Sequence, residues 1–300
     1  MTRRDLSLRA DALAAERTPF AHATVVRRQR PSSVRPGDSA LVLADGTIEG
    51  FVGGACAEES VRLHALRVLE TGEPLLLRIV PGEDGAPAQE GAVTVQNPCL
   101  SGGALEIFIE PRLPAPRVVV LGETPIAMAL ERLGHSAGYD VVLQAGGALA
   151  LHPDDVAVVV ASHGRGEEDA LGQALAAGVV YVGLVASRTR GDAVRAAIDV
   201  PEEMLARLHT PAGLDIGART PEEIALAILA EIVAVRSRSD DAERPLVAAA
   251  PTAVDPVCGM TVIAADPAPH SGSGGETVWF CCEGCRSAFE ADAARHDAAV

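Results

Sequence analysis

Arg117-Val118-Val119-Val120-Leu121-Gly122-Glu123-Thr124-Pro125-Ile126-Ala127 decides the fold class. Four apolar residues, Val118 to Leu121, run without alternation, as in a parallel strand covered on both faces. Gly122 marks a tight turn and Thr124 suits a helix N-cap. Pro125 fits the first helical position, where no backbone N–H is needed, and the helical pattern continues to about Gly134. This is a β-loop-α unit of the nucleotide-binding kind, whose helix N-terminal amides offer a site to a phosphate-bearing ligand.

Set against the dinucleotide fingerprint G-x-G-x-x-G/A, the turn carries Thr124 in place of the second glycine, where a side chain crowds a diphosphate. The next strand, Tyr139 to Gln144, ends in Gln144 where a ribose-binding acid is expected, and Asp140 stands at its other end. The expectation is a Rossmann-like layer without ordinary NAD(P) binding, with Gly122 and Thr124 as candidates for holding another phosphate.

Downstream, Asp155 to Ser162 reads as a further apolar strand, followed by a helix to Gly178 and a strand from Val179 to Val185. In open α/β sheets, ligands bind beyond the carboxyl ends of the strands, so the loops holding Gly122, His163 and Ser187-Arg188 are expected to converge. His163 is a candidate acid, base or ligand, and Ser187 and Arg188 are candidates for binding an anion. Asp215 and Arg219 lie on a glycine-punctuated loop before Thr220-Pro221-Glu222-Glu223. That run supplies an N-cap, a proline at N1 and a glutamate at N3, and predicts a helix from Pro221 to about Val235.

Upstream, residues 1–115 read as an α+β domain. Ala23 to Arg28 and Ser39 to Leu43 are strand-like, and Asp45-Gly46 turns the chain into a second hairpin arm, Thr47 to Val52. The loop from Arg27 to Gly37 carries Arg27, Arg28, Arg30 and Arg35 beside Ser32 and Ser33. It is either a solvated charged loop or a phosphate cradle of guanidinium forks and hydroxyls, with Arg27, Arg28 and Ser32 as its candidates. Gly53-Gly54-Ala55-Cys56 then enters a helix running to about Glu70. A thiol at a glycine-rich helix entrance is placed where its thiolate is stabilised, which suits sulfur transfer or metal ligation. Cys99 stands in a comparable turn, Pro98 to Gly103, before the strand Ala104 to Glu110.

Pro111 to Pro116 is a proline-rich link into the α/β domain, residues 116–236. Residues 237–253, rich in charge, Ala and Pro, read as a linker to a C-terminal module, residues 254–300. A body this small builds little core, so metal coordination is the expected source of its stability. Cys258, Cys281 and Cys285 are three soft ligands at credible spacing, with His270 or Cys282 as a fourth, for Zn(II) or Cu(I).

The whole-chain composition is globular, with 48% hydrophobic residues and a formal charge of −16. That charge argues against nucleic acid or an anionic membrane as principal partner. The longest uncharged run, Ala170 to Ser187, is broken by Gln173 and three glycines and reads as helix then strand rather than as a membrane span. The N-terminus lacks the apolar core of a signal peptide, and six cysteines then point to thiol or metal chemistry in a reducing cytoplasm.

Taken together, Gly53-Gly54-Ala55-Cys56-Ala57-Glu58, Cys99-Leu100-Ser101-Gly102-Gly103 with Glu110-Pro111, Tyr181 to Arg188, and Pro211 to Glu223 resemble the XdhC/CoxI family. The resemblance spans about residues 20–236, and residues 255–296 resemble a YHS domain, with Cys282 where serine is common. Members of the first family are accessory proteins of xanthine dehydrogenase and of aerobic carbon monoxide dehydrogenase. The resemblance implies a maturation factor that binds molybdenum cofactor, as molybdopterin or its dinucleotide, and assists its sulfuration or insertion into a molybdenum hydroxylase. It further implies a cysteine desulfurase as sulfur source, a homodimer, and Cys56 or Cys99 as the sulfur-handling residue. The competing readings are an NAD(P)-dependent oxidoreductase and a metal-sensing or metallochaperone protein.

Overall fold

A computed structural model describes residues 1–81, 91–97, 103–145, 149–162, 164, 166–240, 250–266, 268–273 and 276–297. The chain divides into two compact units, Met1–Pro114 with Pro245–Val300, and Ala115–Arg244. Residues 254–300, read from sequence as a module beyond a linker, thus form one unit with the N-terminal domain.

The first unit opens with α1 (Arg3–Ala15), β1 (Phe20–Arg28), β2 (Ser39–Leu43), β3 (Ile48–Gly50) and α2 (Ala55–Thr71), followed by β4 (Leu75–Pro81), β5 (Val93–Asn97) and β6 (Leu105–Arg112). Its sheet has the order β3-β2-β1-β6-β4-β5. All of these pairings are antiparallel except β4 with β5. Ala21, Ala23 and Val25 alternate inward along β1, the period-two signature of a half-covered sheet. They pack with Val61, Ala65, Val68 and Leu69 of α2 in one core. The helix stops at Gly72, whose left-handed φ of 73° lets its N–H reach the carbonyl of Val68 at 2.9 Å.

The second unit comprises β7 (Arg117–Leu121), α3 (Pro125–Ser136), β8 (Asp140–Gln144), β9 (Asp155–Val160), α4 (Glu167–Ala176), β10 (Tyr181–Leu184), α5 (Arg188–Ala197), α6 (Glu202–Leu205), β11 (Leu208–His209) and α7 (Pro221–Asp240). Its five strands are parallel, in the order β11-β10-β9-β7-β8. Separate apolar clusters contain alternating residues of β7: Val119 and Leu121 pack with α4, Val118 and Val120 with α3 and α7. That two-sided burial is the reason the strand is apolar from Val118 to Leu121. The Rossmann-like expectation holds, with a refinement: counted within the unit, the order is 2-1-3-4-5, so the strand order switches direction between β7 and β9 while the strands stay parallel.

The chain closes with β12 (Thr252–Val254), β13 (Thr261–Ile263), β14 (His270–Ser273), β15 (Glu276–Trp279) and α8 (Glu283–Asp297). These return to the first unit, where Ile263 is a member of the α2 core. No helix among the described residues is long and apolar enough to cross a membrane.

Candidate cofactor pocket and thiol cluster

The first unit brings together residues that are well apart in sequence. Ser32, Gly53, Gly54 and Cys56 line one cavity of about 630 Å³, with Ser33, Gly103 and Leu105 also in its wall. Gly54 is the N-cap of α2 and has no side chain to bond the first-turn amides. The Ala57 amide bonds the Gly54 carbonyl at 2.8 Å, and with no side-chain cap the positive pole of the helix dipole faces the cavity. A Cβ on Gly54 would meet nothing within 4 Å, whereas one on Gly103 would lie 1.9 Å from the carbonyl oxygen of Pro31. Gly103 thus lets two backbones close the wall. Arg27 and Arg28 line a smaller neighbouring cavity of about 310 Å³, with Arg78 and Glu106, and Leu105 lines both cavities. Arg28 donates to the carbonyl of Ser32 at 3.1 Å, and Arg27 pairs with Glu106 at 3.4 Å.

Cys56 faces a second neighbourhood as well. The Sγ atoms of Cys258 and Cys281 are 3.6 Å apart, those of Cys281 and Cys285 3.6 Å, and those of Cys281 and Cys282 3.7 Å. A cation bound to three or four sulfurs at about 2.3 Å sets them about 3.8–4.0 Å apart, so the spacing suits a soft ion. Ligand atoms of Asp255, Cys258, Cys281 and Cys285 form one group within 4.8 Å, and those of Cys56, Cys281 and Cys282 a second. None of the five described cysteines forms a disulfide. The thiol of Cys281 is pushed up, first by its hydrogen bond with Cys56 and then by burial; burial also raises Cys258 and Cys285. These side chains are therefore neutral thiols until a cation displaces their protons.

His270 lies outside both groups. Its Nδ1 is 3.1 Å from the carbonyl of Ala268 and its ring packs on Trp279. The carboxylate beside the sulfurs is instead that of fully buried Asp255. Burial tends to raise its pKa, but hydrogen bonds from the amides of Cys281 and Val257, both at 2.8 Å, prevail and hold it below the usual carboxylate value. Sequence reading passed over Asp255, although an acid three residues before Cys258 has the spacing of a side chain that folds back onto the ligand loop.

Glu59 was also missed. It is fully buried and accepts from the amide of Ile263 at 3.0 Å and from Arg62, which ties β13 onto α2. One helical turn separates Glu59 from Cys56, so the face of α2 that presents the thiol also docks the C-terminal strand.

In the second unit, Gly122 has φ 126°, and a Cβ there would stand 2.3 Å from the carbonyl oxygen of Ala161. Thr124 accepts from the amide of Ala127 at 3.2 Å, capping its own helix. Gln144 bonds the backbone of Ala150 in both directions, at 2.8 and 2.9 Å. The buried carboxylate of Glu167 accepts from Gly164 N–H at 2.8 Å and from the Ser162 hydroxyl at 3.2 Å, and pairs with Arg190. Ser187 is the N-cap of α5, and Arg188 faces Asp215 at 3.7 Å with both side chains more than 80% exposed. Arg219 donates its amide to Glu223 at 2.7 Å, beside the Thr220–Glu223 capping pair. Another node missed in the sequence is Glu231, which accepts from Tyr181 at 2.7 Å and from the Gly213 amide at 2.7 Å and lies 3.1 Å from His209. Cys99 and His163 lie outside the described residues.

Comparison with known proteins adds identity to this geometry. Residues 118–232 match the XdhC Rossmann domain and residues 13–80 the XdhC and CoxI family. The uncharacterized protein YqeB of Escherichia coli is 31% identical over 259 residues, covering 77% of this chain and 46% of that protein. A probable xanthine dehydrogenase subunit of Bacillus subtilis is 26% identical over 157 residues, covering 44% of this chain and 46% of the relative. The chain therefore spans about half the length of the curated relatives it matches. A crystal structure described as a xanthine dehydrogenase of Bacillus halodurans aligns over 81% of this chain and 98% of that one, at 17% identity and a TM-score of 0.40. The family models fall on both units, and the chain carries the two domains of the XdhC and CoxI family, residues 13–80 and residues 118–232.

Proposed function

We propose that this chain is an accessory factor for a molybdenum hydroxylase of the xanthine dehydrogenase or carbon monoxide dehydrogenase type, holding molybdenum cofactor for sulfuration or insertion. The observation that carries the reading is the cavity joining Ser32, Gly53, Gly54 and Cys56. Its donors fit the guest: the uncapped N-terminus of α2 and the serine hydroxyls suit the phosphate of a pterin cofactor, with Arg28 close by to add charge. When bound, the cofactor supplies a thiophilic molybdenum centre. Cys56 is the residue of this pocket that can carry or ligate sulfur beside it. The C-terminal segment, similar to a YHS domain, holds a soft metal through Cys258, Cys281 and Cys285. A desulfurase as sulfur donor and a homodimeric assembly belong to the same proposal.

The nicotinamide reading has less support. Thr124 and Gln144 spend their side chains on local backbone, and Glu167 occupies the Gly164 amide that an anionic ligand would use. The test is an anaerobic titration of the full chain with molybdenum cofactor beside NADH and NADPH. Stoichiometric cofactor binding that is lost in Cys56→Ala and in Gly54→Asp is the expected result. Binding of a nicotinamide alone would overturn the proposal.

A further inference from the structure

Cys56 belongs to two constructions at once, as part of the wall of the cofactor cavity and as a member of a thiol trio with Cys281 and Cys282. The second trio overlaps the group containing Cys258, Cys281 and Cys285 at a single atom, the Sγ of Cys281. Two three-coordinate ions that share one bridging thiolate need five sulfurs, the number of cysteines described. Three-coordinate thiolate sites of this softness favour Cu(I). We propose that Cys56, Cys281 and Cys282 form a second Cu(I) site, bridged through Cys281 to the ion held by Cys258 and Cys285, and that its occupation withdraws Cys56 from the pocket.

The step is ligand exchange. Each thiol yields its proton to solvent as its sulfur binds, and copper stays Cu(I) throughout. Because β13 is fixed to α2 by Glu59, the C-terminal sulfurs are held against Cys56 before any ion arrives. The inference rests on the reading of Cys56 as a pocket residue. Its test needs no molybdenum cofactor, so its failure and that of the cofactor proposal are separable.

The experiment is an anaerobic Cu(I) titration of the full chain against a chromophoric Cu(I) chelator, with Zn(II) in parallel and iodoacetamide labelling of Cys56 read by mass spectrometry. Wild type should take two Cu(I) ions per chain, and the second should slow Cys56 labelling at least tenfold. Cys56→Ser and Cys282→Ser should each keep one ion, which also reports that the fold is intact. Zn(II) should stop at one ion and leave Cys56 labelling at its metal-free rate. A single Cu(I) per wild-type chain, or two ions retained by Cys56→Ser, overturns the proposal. Cys56 labelling that is already slow without metal overturns its withdrawal from the pocket by the ion.

Discussion

Glu59 shows how much one buried side chain decides. Its carboxylate is fully buried, and burial raises its pKa against the opposing hydrogen bonds of Ile263 and Arg62. Removing one partner from such a node leaves the others desolvated and unpaired, the costly case for buried polar groups. Glu59→Ala should therefore destabilise the first unit by about 3 kcal/mol in urea unfolding. Glu59→Gln keeps an acceptor for the Ile263 amide and should cost about 1 kcal/mol. Equal losses in the two variants would mean that side-chain volume, not hydrogen bonding, matters here. His64 makes a second prediction possible. Burial lowers its pKa from 6.5, despite the 2.8 Å contact of Nδ1 with the Ser60 carbonyl. The unfolded chain takes a proton below 6.5 that the folded chain refuses, so this contribution is complete above pH 6.5 and is lost as pH falls towards the folded value. Unfolding free energy should drop by at most about 1 kcal/mol between pH 6.5 and 5.5 on this account. His22, also lowered by burial, adds a drop of the same sign. In His64→Gln the drop should shrink; an unchanged pH slope would remove His64 from the explanation.

At the scale of elements, α2 is where stability and binding can be separated. Gly54 has open space where a side chain would go, so Gly54→Asp can provide the cap the helix lacks. A carboxylate at an N-cap is favoured over glycine by a few tenths of a kcal/mol and occupies the anion site itself. Thermal stability of Gly54→Asp should match or slightly exceed wild type, while affinity for the phosphate-bearing cofactor falls at least tenfold. Retained cofactor affinity would move the phosphate away from this helix. The entrance to α2 was legible because glycines, a cysteine and a helical pattern stand together in one short stretch. The parallel sheet was legible for a similar local reason, since β7 is apolar from Val118 to Leu121 and runs straight into Gly122. Elements with weak patterns were not. The helix α1 buries only Leu6 and Leu13, and its capping box, Thr2 with Asp5, precedes no sustained apolar stripe. The strand order, with β9 beside β7, follows from tertiary pairing that no single strand encodes.

The whole molecule turns on a contact that sequence could not announce. Glu59 and Ile263 are 204 residues apart, yet their hydrogen bond places the last strands on the helix that carries Cys56. Reading Cys258, Cys281 and Cys285 as ligands needed only spacing and chemistry. Finding that Cys56 meets Cys281 needed the fold, because nothing in either local stretch refers to the other. Metal binding should consequently stabilise a unit assembled from both ends of the chain rather than a C-terminal module by itself. With free ion at about 100 times its dissociation constant, linkage contributes about 2.7 kcal/mol to the state that binds it. Hydrogen exchange of the full chain with and without Cu(I) reads this directly. Amides of residues 55–71, 252–263 and 281–285 that exchange only through opening of the site should slow together by about 100-fold. Residues 115–244, which supply no sulfur to the cluster, should keep their metal-free rates. Protection confined to residues 252–285 would show that the ion closes the C-terminal segment alone, and that the contact with α2 contributes nothing to holding it.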